Sequence, residues 1–319
     1  MKKCILFCLL VPMAVFGQDR PYGKLWATRS QVIAQHGMAA TSHPLSTQVA
    51  LDVLKAGGNA IDAAIAANAM EGVVEPHVNG IGGDLYAIVW DAKTKKLYGL
   101  NGSGRSPKSL TLAEFKKRGL THIPSTGPLP VSVPGCVDAW FELHKKFGTM
   151  PMSKVLEKAV SYARNGFPVH GELASGLARV PANYGKFPNV AEHYYPTGKI
   201  PVEGDVFKNP NLANTLERLG KEGRDVFYKG DMARTMDAFM KKNGGFLSYE
   251  DLATHTSTWI DPVSVNYRGY DVWELPPNGQ GIAALQMLNI LEGYDFSKIK
   301  LGSAEHIHLF TEAKKLVFE

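Results

Sequence analysis

The chain has 319 residues, 45% hydrophobic and 20% charged, which is ordinary usage for a globular protein with one large domain or two smaller ones. Its net charge is +5, and removing the first 17 residues leaves 33 basic and 30 acidic side chains, a charge of +3. No cluster of lysines and arginines with interleaved aromatic residues is present, so this weakly basic balance argues against nucleic acid as a partner.

The first 17 residues are typical of a cleaved signal peptide. A basic start at residues 2–3 is followed by an apolar run at residues 5–16, and Val15 and Gly17 fit the −3 and −1 positions of a cut before Gln18. The apolar run is too short to span a bilayer, so we expect no membrane span. We therefore expect an exported protein, either periplasmic or secreted.

The first patterned segment of the mature chain predicts two helices. Ser42 is a candidate cap for a helix that begins near Pro44 and ends at Gly57-Gly58. Asn59 is a candidate cap for a second helix, residues 60–73. That helix is so rich in alanine and isoleucine that we expect it to be buried, packed on a sheet that contains residues 85–90.

Strands and further helices follow in an α+β order. Residues 85–90 and 95–100 predict a hairpin, and a second strand pair is predicted at residues 263–267 and 270–275. Helices are predicted at residues 135–146, 153–164, 230–242, 281–291 and 303–318. Residues 166–210 have weak periodicity and predict an ordered loop region or small helices. Hairpins in place of regular βαβ units favour an α+β fold of sheets covered by helices.

Several reactive side chains have a structural interpretation. Cys136, the one cysteine of the mature chain, lies near a helix start that would favour a thiolate, but no companion histidine has a telling spacing. We interpret it as a small buried residue, and as a lone cysteine it cannot form an internal disulfide. His306 and His308 are two residues apart and point to different helix faces, so we expect no metal site there.

Other polar positions also have a structural interpretation. His43 and His77 flank glycine and proline loops, and each is expected to be a hydrogen-bonded structural histidine. Asp62 is either a buried cap or an ion-pair partner. Residues 80–83, Gly-Ile-Gly-Gly, resemble a phosphate-binding loop but precede a strand and lack the lysine that such loops carry, so they predict a tight packing loop beside the active site.

Four blocks of sequence together carry a family resemblance. They are residues 36–107 with the loop Gly-Ser-Gly-Arg-Ser-Pro, residues 131–169, residues 227–281 and residues 303–319. In this order they resemble the N-terminal large-subunit portion of a γ-glutamyltranspeptidase, an N-terminal-nucleophile hydrolase. The resemblance implies a partial αββα sandwich, with residues 18–319 as a large-subunit portion that is incomplete at its C-terminus.

The resemblance also implies the chemistry. It predicts transfer or hydrolysis of glutathione and related γ-glutamyl amides, with an amino acid, a peptide or water as acceptor and no cofactor or metal. The nucleophile of the family is a threonine freed by self-cleavage, whose own amine acts as base. It begins a C-terminal small subunit, which also carries the oxyanion site. Thr254, Thr256 and Thr258 precede the last family blocks, so we expect no catalytic residue in this chain and no activity from it alone.

Arg105 is the one candidate substrate-binding residue. The family places an arginine just before a small-Pro pair, where its guanidinium can bind a carboxylate with two hydrogen bonds. Alignment on Ser106-Pro107 puts Arg105 two residues late and Ser103 in the arginine's place. The alternative is a structural arginine that ties down a glycine loop.

This departure leaves three functions open. The first is an exported γ-glutamyltransferase or glutathione hydrolase. The second is an acyl-amide hydrolase with another acyl group, because the shifted arginine resembles a branch of the family whose members are often called acylases. The third is a scaffold that has lost the nucleophile.

Overall fold

The computed structural model describes residues 31–319, so the predicted signal peptide lies outside the described residues. Residues 39–319 form one compact unit that contains all the helices and strands of this described part. The helices are α1 Pro44–Lys55, α2 Ala60–Val74, α3 Leu112–Lys117, α4 Cys136–Phe147, α5 Met152–Asn165, α6 Gly171–Ala178, α7 Val180–Tyr184, α8 Val190–Tyr194, α9 Pro210–Glu222, α10 Asp225–Tyr228, α11 Asp231–Lys242, α12 Tyr249–Ala253, α13 Gly281–Leu291 and α14 Ala304–Phe318. The strands are β1 Leu85–Asp91, β2 Lys96–Gly102, β3 Phe167–Pro168, β4 Val206–Phe207, β5 Thr258–Ile260, β6 Val263–Tyr267 and β7 Tyr270–Glu274.

Three antiparallel sheets are present in the described part of the chain. Strands β1, β2 and β5 form one sheet in that order, while β3–β4 and β6–β7 form two-stranded sheets. Asp91 stabilises the predicted first turn by accepting hydrogen bonds from the Lys93 amide (3.0 Å) and the Thr94 hydroxyl (2.6 Å). The second turn holds Arg268 and Gly269 at positive φ, +52° and +87°, the geometry of a tight hairpin.

The start of α1 differs from the prediction. The cap is His43, whose Nδ1 accepts a hydrogen bond from the Leu45 amide at 3.1 Å. Ser42 instead donates its hydroxyl to Glu71 of α2 (3.1 Å) and to Glu75, the residue that follows α2 (2.6 Å), and both carboxylates are buried. The predicted cap was therefore wrong by one residue, because the buried carboxylates take the serine hydroxyl and leave the imidazole to cap the helix.

Helix α2 is buried as predicted but among helices. Asn59 caps it, and Asp62 completes a capping box by accepting from the Asn59 amide at 3.0 Å. Its small side chains allow α1, α4 and α5 to pack closely around it, and the helix that lies on β1 and β2 is α4. The expectation that α2 packs on the β1 sheet was therefore wrong.

Several short elements and one long helix were not predicted from the sequence, and α9 and β5 are the two that matter most for the packing. Helix α9 packs along α5 and buries Leu216 and Leu219, with Asn209 as its cap. Strand β5 has only three residues and pairs with β2, where Leu100 lies opposite Trp259. The region of residues 166–210 does contain the small helices that were one of its two expectations.

One face of strand β1 is apolar and exposed. Leu85, Ala87 and Val89 pack against the core, whereas Tyr86, Ile88 and Trp90 alternate with them and are 42%, 43% and 61% exposed.

In the described residues 31–319, no helix combines the length and apolar character needed to cross a bilayer.

Candidate functional site

Three glycine-containing segments meet next to the N-terminus of α4. They are residues 80–84, residues 102–105 and residues 133–136, and we call them the loop junction. The carbonyl of Gly83 accepts hydrogen bonds from the amides of Gly135 (3.0 Å) and Cys136 (2.9 Å). The amide of Val133 donates to the carbonyl of Arg105 at 3.0 Å. The main chain on both sides of the junction is therefore fixed by hydrogen bonds between segments distant in sequence.

Glycine is required at two positions of the junction. A Cβ added at Gly104 would lie 1.5 Å from the Val133 carbonyl oxygen, and one at Gly135 would lie 1.9 Å from that of Gly102. No side chain fits at such distances, so the backbones approach as closely as they do only because Cβ is absent.

The glycine loop at residues 80–83 has a packed side and an open side. A Cβ on Gly72 of α2 would come within 3.2 Å of the Gly80 Cα, so the helix and the loop are in close contact. By contrast, a Cβ at Gly80 or at Gly82 would meet no atom of residues 31–319 within 4 Å. The expectation of a tight packing loop is correct for the side against α2, and the other side leaves backbone accessible.

Asp84 links the glycine loop to the loop that carries Arg105. Its carboxylate accepts hydrogen bonds from the amide of Gly104 (2.9 Å) and the hydroxyl of Ser103 (3.1 Å). Asp84 is exposed, and within residues 31–319 it forms no ion pair with a lysine, arginine or histidine. Asp84 was not predicted from the sequence, although an acid directly after a glycine loop is a readable signal.

The guanidinium of Arg105 is exposed and forms no hydrogen bond or ion pair within the described part of the chain. The loop is held by the Arg105 carbonyl, by the Asp84 carboxylate and by the Asn101 side chain, which accepts from the Ser103 amide at 3.0 Å. In the alternative interpretation, the Arg105 side chain ties down this loop. The structure shows that these other contacts hold the loop instead. The guanidinium is therefore available for a ligand, and its substrate role stays a prediction.

A cavity of about 680 Å³ opens on the glycine loop. Asp84 and residues 80–83 form one wall, and the rest is lined largely by polar side chains, among them Asn68, Asn79, His193, Asn209 and Thr215. This volume lies within the range of small-molecule sites, about 300–1,000 Å³. The junction thus places an exposed carboxylate at the rim of a polar cavity and an exposed guanidinium on the neighbouring loop.

A buried charge cluster supports the junction. Asp138 of α4 accepts hydrogen bonds from Arg224 and from the Ser257 amide, and its carboxylate lies 3.9 Å from Nε2 of His255. The ring of His255 stacks on Tyr228 with centroids 5.5 Å apart. These five residues are defined as the Asp138 cluster.

The Asp138 cluster keeps a neutral imidazole in the interior. Burial lowers the pKa of His255, and this effect outweighs the opposing attraction of the Asp138 carboxylate. The charges of Arg105 and Asp84 also act on His255, in opposite directions. Ser257 lies against Gly102, since a Cβ there would be 3.4 Å from the Ser257 hydroxyl oxygen. The cluster therefore contacts the segment from which the Arg105 loop begins.

The structure gives Cys136 and Asp62, two other candidates from the sequence, structural roles. Cys136 is 2% exposed, and burial, reinforced by the Asp84 carboxylate, raises the pKa of its thiol to about 12. Its interpretation as a small buried residue is confirmed. Asp62 is a buried cap: burial opposes its ionisation, but hydrogen bonds from Thr149, Asn59 and Met150 prevail and lower its pKa.

The histidine expectations have mixed outcomes. His43 is structural, as expected, while Nδ1 of His77 is buried and has no hydrogen-bond partner within residues 31–319, contrary to expectation. His306 packs on Phe310 with ring centroids 4.8 Å apart. Residues 31–319 contain no group of three or more His, Cys, Asp or Glu side chains placed to hold a metal ion.

Comparison with known proteins finds relatives in a single family. The sequence profile of the Gamma-glutamyltranspeptidase family matches residues 46–319. The chain is 39% identical over 288 residues to the glutathione hydrolase-like YwrD proenzyme of Bacillus subtilis, covering 90% of this chain and 54% of that protein. It is 34% identical to the glutathione hydrolase proenzyme of Escherichia coli, covering 90% of this chain and 50% of the relative. The chain thus spans about half the length of these curated relatives.

Solved structures agree in fold. The γ-glutamyltranspeptidase of Helicobacter pylori superposes with a TM-score of 0.85 at 32% identity, covering 91% of this chain and 84% of that one. A cephalosporin acylase from Bacillus halodurans superposes with a TM-score of 0.86 at 42% identity, covering 93% of this chain and 56% of that one. The predicted fold class is therefore confirmed: the chain is α+β, of the N-terminal-nucleophile hydrolase type.

Proposed function

Because the chain belongs to the γ-glutamyltranspeptidase family, we propose that the complete protein is an exported enzyme that hydrolyses or transfers the γ-glutamyl group of glutathione and related amides. Water, an amino acid or a peptide would accept the group. This chain would supply the large-subunit portion, and a C-terminal small subunit of the same precursor would be its partner.

One observation carries this proposal. Arg105 presents an exposed guanidinium with no protein partner within residues 31–319, on a loop whose main chain is fixed at the loop junction. A rigid loop that holds a free guanidinium suits a carboxylate ligand, because the planar group can donate two parallel hydrogen bonds. A γ-glutamyl donor carries such a carboxylate on its α-carbon.

The nucleophile belongs to the other part of the proposed precursor. An amide is attacked by a threonine hydroxyl while the amine of that same threonine takes the proton, which requires the threonine to begin a chain after self-cleavage. From the family resemblance, we expect this threonine to lie beyond the last block, residues 303–319. The large-subunit portion would then bind the donor and the small subunit would carry out the acyl transfer.

An acyl-amide hydrolase with another acyl group is the second candidate. The observation that favours it is Ser103, which stands where the family's carboxylate-binding arginine is expected and is engaged by Asp84. A cephalosporin acylase is among the structural relatives. A glutaryl group has the length of a γ-glutamyl group without its ammonium, so it separates the two candidates.

The test uses the full-length gene product, purified after any self-cleavage. Turnover of glutathione with little turnover of glutaryl amides supports γ-glutamyl chemistry, and the reverse supports the acylase. Mass spectrometry of the subunits is expected to show a new N-terminal threonine beyond residue 319. A protein that remains one uncleaved chain and hydrolyses neither donor would contradict both candidates and favour a scaffold without the nucleophile.

Export has its own test. The protein is expected outside the cytoplasm, with Gln18 as its first residue by N-terminal sequencing. Recovery from the cytoplasm with Met1 in place would remove this part of the proposal.

A further inference from the structure

We propose that Glu71 and Glu75 hold a single proton between them, and that this proton keeps the turn of residues 75–79, which leads into the glycine loop, in place. The pair lies at the C-terminal end of α2. The inference is independent of the proposed function. It assigns a pH-sensitive positioning element to the segment directly before the loop that forms one wall of the cavity.

The two carboxyl groups are buried without a cation. Glu71 is 7% exposed and Glu75 is 6% exposed. Within residues 31–319 neither forms an ion pair with a lysine, an arginine or a histidine. Two ionised carboxylates in contact and removed from water would repel each other with nothing to compensate. In such a pair one member keeps its proton.

The hydrogen-bond donors around the pair also require a proton on one carboxyl group. The Ser42 hydroxyl has one hydrogen to share, and it faces Glu75 at 2.6 Å and Glu71 at 3.1 Å. The His43 amide donates to the other oxygen of Glu71 at 3.3 Å. The two carboxyl groups are also hydrogen bonded to each other. Two ionised carboxylates cannot form that bond, because each is only an acceptor.

The two imidazoles that act on Glu75 from neighbouring elements do not supply a positive charge. His43 caps α1 and His170 caps α6, and their ring centroids lie 4.7 Å apart. Nδ1 of each ring accepts a hydrogen bond from a backbone amide, at 3.1 Å for His43 and 3.4 Å for His170. An imidazolium has a hydrogen on both nitrogens and cannot accept, so each ring is neutral while it caps its helix.

Glu71 is the member of the pair that holds the proton. Burial raises the pKa of Glu71, and the hydrogen bond with Glu75 raises this pKa further. Burial also opposes the ionisation of Glu75, but hydrogen bonds from Ser42 and Glu71 prevail and lower the pKa of Glu75. The pair therefore consists of one neutral and one ionised carboxyl group, which titrate together.

The proton is coupled to the glycine loop through the main chain. Glu75 directly follows α2, and its carbonyl accepts hydrogen bonds from the amides of Val78 and Asn79, both at 3.0 Å. A Cβ on Gly72, the residue after Glu71, would lie 3.2 Å from the first residue of the glycine loop. Loss of the proton would leave two negative charges in contact. Glu75 is then expected to move away from Glu71 and to take this turn with it.

Infrared spectroscopy of the full-length gene product tests the shared proton. A protonated carboxyl group has a carbonyl band that an ionised one lacks. At about pH 6, where an ordinary glutamate is ionised, we expect one such band that shifts when glutamate is isotope-labelled and disappears in Glu71→Gln. Glu222→Gln is the matched control, because Glu222 is exposed and its hydrogen bond with Arg218 lowers its pKa. This control should keep the band.

The spectrum of the labelled wild-type protein needs no variant, so the inference stays testable if Glu71→Gln does not fold. If the wild-type protein shows no band of a protonated glutamate, or if Glu71→Gln retains the whole band, the proton is not on Glu71 and the inference is wrong.

Hydrogen exchange tests the coupling to the loop. If only the closed turn holds the extra proton, opening becomes up to about tenfold more favourable with each pH unit above the ordinary pKa of glutamate, about 4.3. Protection factors of the Val78 and Asn79 amides should therefore fall at least about tenfold between about pH 5 and pH 7. In Glu71→Gln, whose neutral side chain replaces the protonated carboxyl group, they should stay within about threefold.

This local measurement is separate from the effect of the buried histidines on global stability, which has the opposite sign. Wild-type protection that does not change with pH would show that the proton does not hold the turn. An equal fall in Glu71→Gln would assign the effect to another group, and either result would overturn the coupling.

Discussion

At the scale of single residues, Arg105 gives the most direct test of the carboxylate site. Arg105→Lys in the full-length gene product keeps the positive charge and loses the two-pronged geometry. We expect KM for a γ-glutamyl donor to rise about tenfold, equivalent to about 1.4 kcal/mol of binding. The measurement is steady-state kinetics with glutathione.

Arg118→Lys is the control for that variant. Arg118 is another arginine with an exposed side chain, but it pairs with Glu114 and donates to the Gly244 carbonyl far along the chain. Its replacement should leave KM unchanged. Equal kinetic constants for Arg105→Lys and wild type would show that Arg105 does not bind substrate, and the two-residue shift would be the reason.

His255 predicts a loss of stability in acid. Its pKa is lowered by burial, so below the ordinary value of about 6.5 the unfolded chain binds a proton that the folded protein resists. Stability is full above that pH and falls as the pH drops, by up to about 1.4 kcal/mol per pH unit for one histidine. The thermal midpoint should therefore decrease between about pH 7.5 and pH 5.5. Burial also lowers the pKa of His43 and His193, which contribute in the same direction.

His255→Gln isolates the contribution of that residue. It should make this decrease in acid shallower than in wild type. His308→Gln, at an exposed position on α14, should leave the slope as it is. A slope unaltered by His255→Gln would mean that His255 does not take part in the acid response.

The site residues show why the sequence predicted only part of the site. The loop of Arg105 was located because its residues are contiguous in sequence and form a motif that resembles one of the family. Asp138, Arg224 and His255 are brought together from three distant segments, and the Asp138–Arg224 contact spans 86 positions. No local spacing marks such a cluster. Asp84 was missed for another reason. It links the two loops only because the chain folds back and brings the Gly104 amide within 2.9 Å of its carboxylate.

At the scale of elements, close backbone approach predicts a sharp difference between two glycines. Gly104→Ala would place Cβ 1.5 Å from the Val133 carbonyl oxygen, and relief requires the two backbone segments to move apart. We expect a cost of more than about 2 kcal/mol and a lower thermal midpoint. In the described part of the chain, a Cβ at Gly82 would meet no atom within 4 Å, so Gly82→Ala should change stability by less than about 0.5 kcal/mol.

Thermal unfolding monitored by circular dichroism measures both variants. Equal midpoints for Gly104→Ala and Gly82→Ala would show that the loop junction yields easily. In that case the Arg105 loop would not be held rigidly, and the proposed carboxylate site would lose its support.

Elements with local signals were predicted well. The hairpin of β1 and β2 follows from apolar runs around a polar turn, and α2 follows from Asn59 and the alanine-rich run. Strand β5 had no such signal, because three residues are too few for a pattern and its pairing with β2 is long-range. Helix α9 did have one, with Asn209 and Pro210 at its start and leucines at helical spacing. It follows a Pro- and Gly-rich region whose weak periodicity obscures where the helix begins.

At the scale of the whole molecule, the exposed apolar face of β1 predicts the behaviour of a polypeptide of residues 18–319 produced alone. Tyr86, Ile88 and Trp90 form a row of exposed apolar side chains on a strand with one neighbour in its sheet among the described residues. Exposed apolar surface and unpaired strand edges both recruit other chains. We expect self-association in size-exclusion chromatography.

Trp90→Lys should reduce this self-association, because a charge on the exposed face opposes edge-to-edge pairing. The same polypeptide should hydrolyse no glutathione and show no internal cleavage by mass spectrometry, since the proposed mechanism needs a threonine that begins a second subunit. Producing it together with the rest of the precursor should cover the apolar face and restore a discrete complex. A soluble monomer of residues 18–319 that turns over glutathione, or a fragment with a new N-terminal Thr, Ser or Cys, would show that the nucleophile lies within this chain.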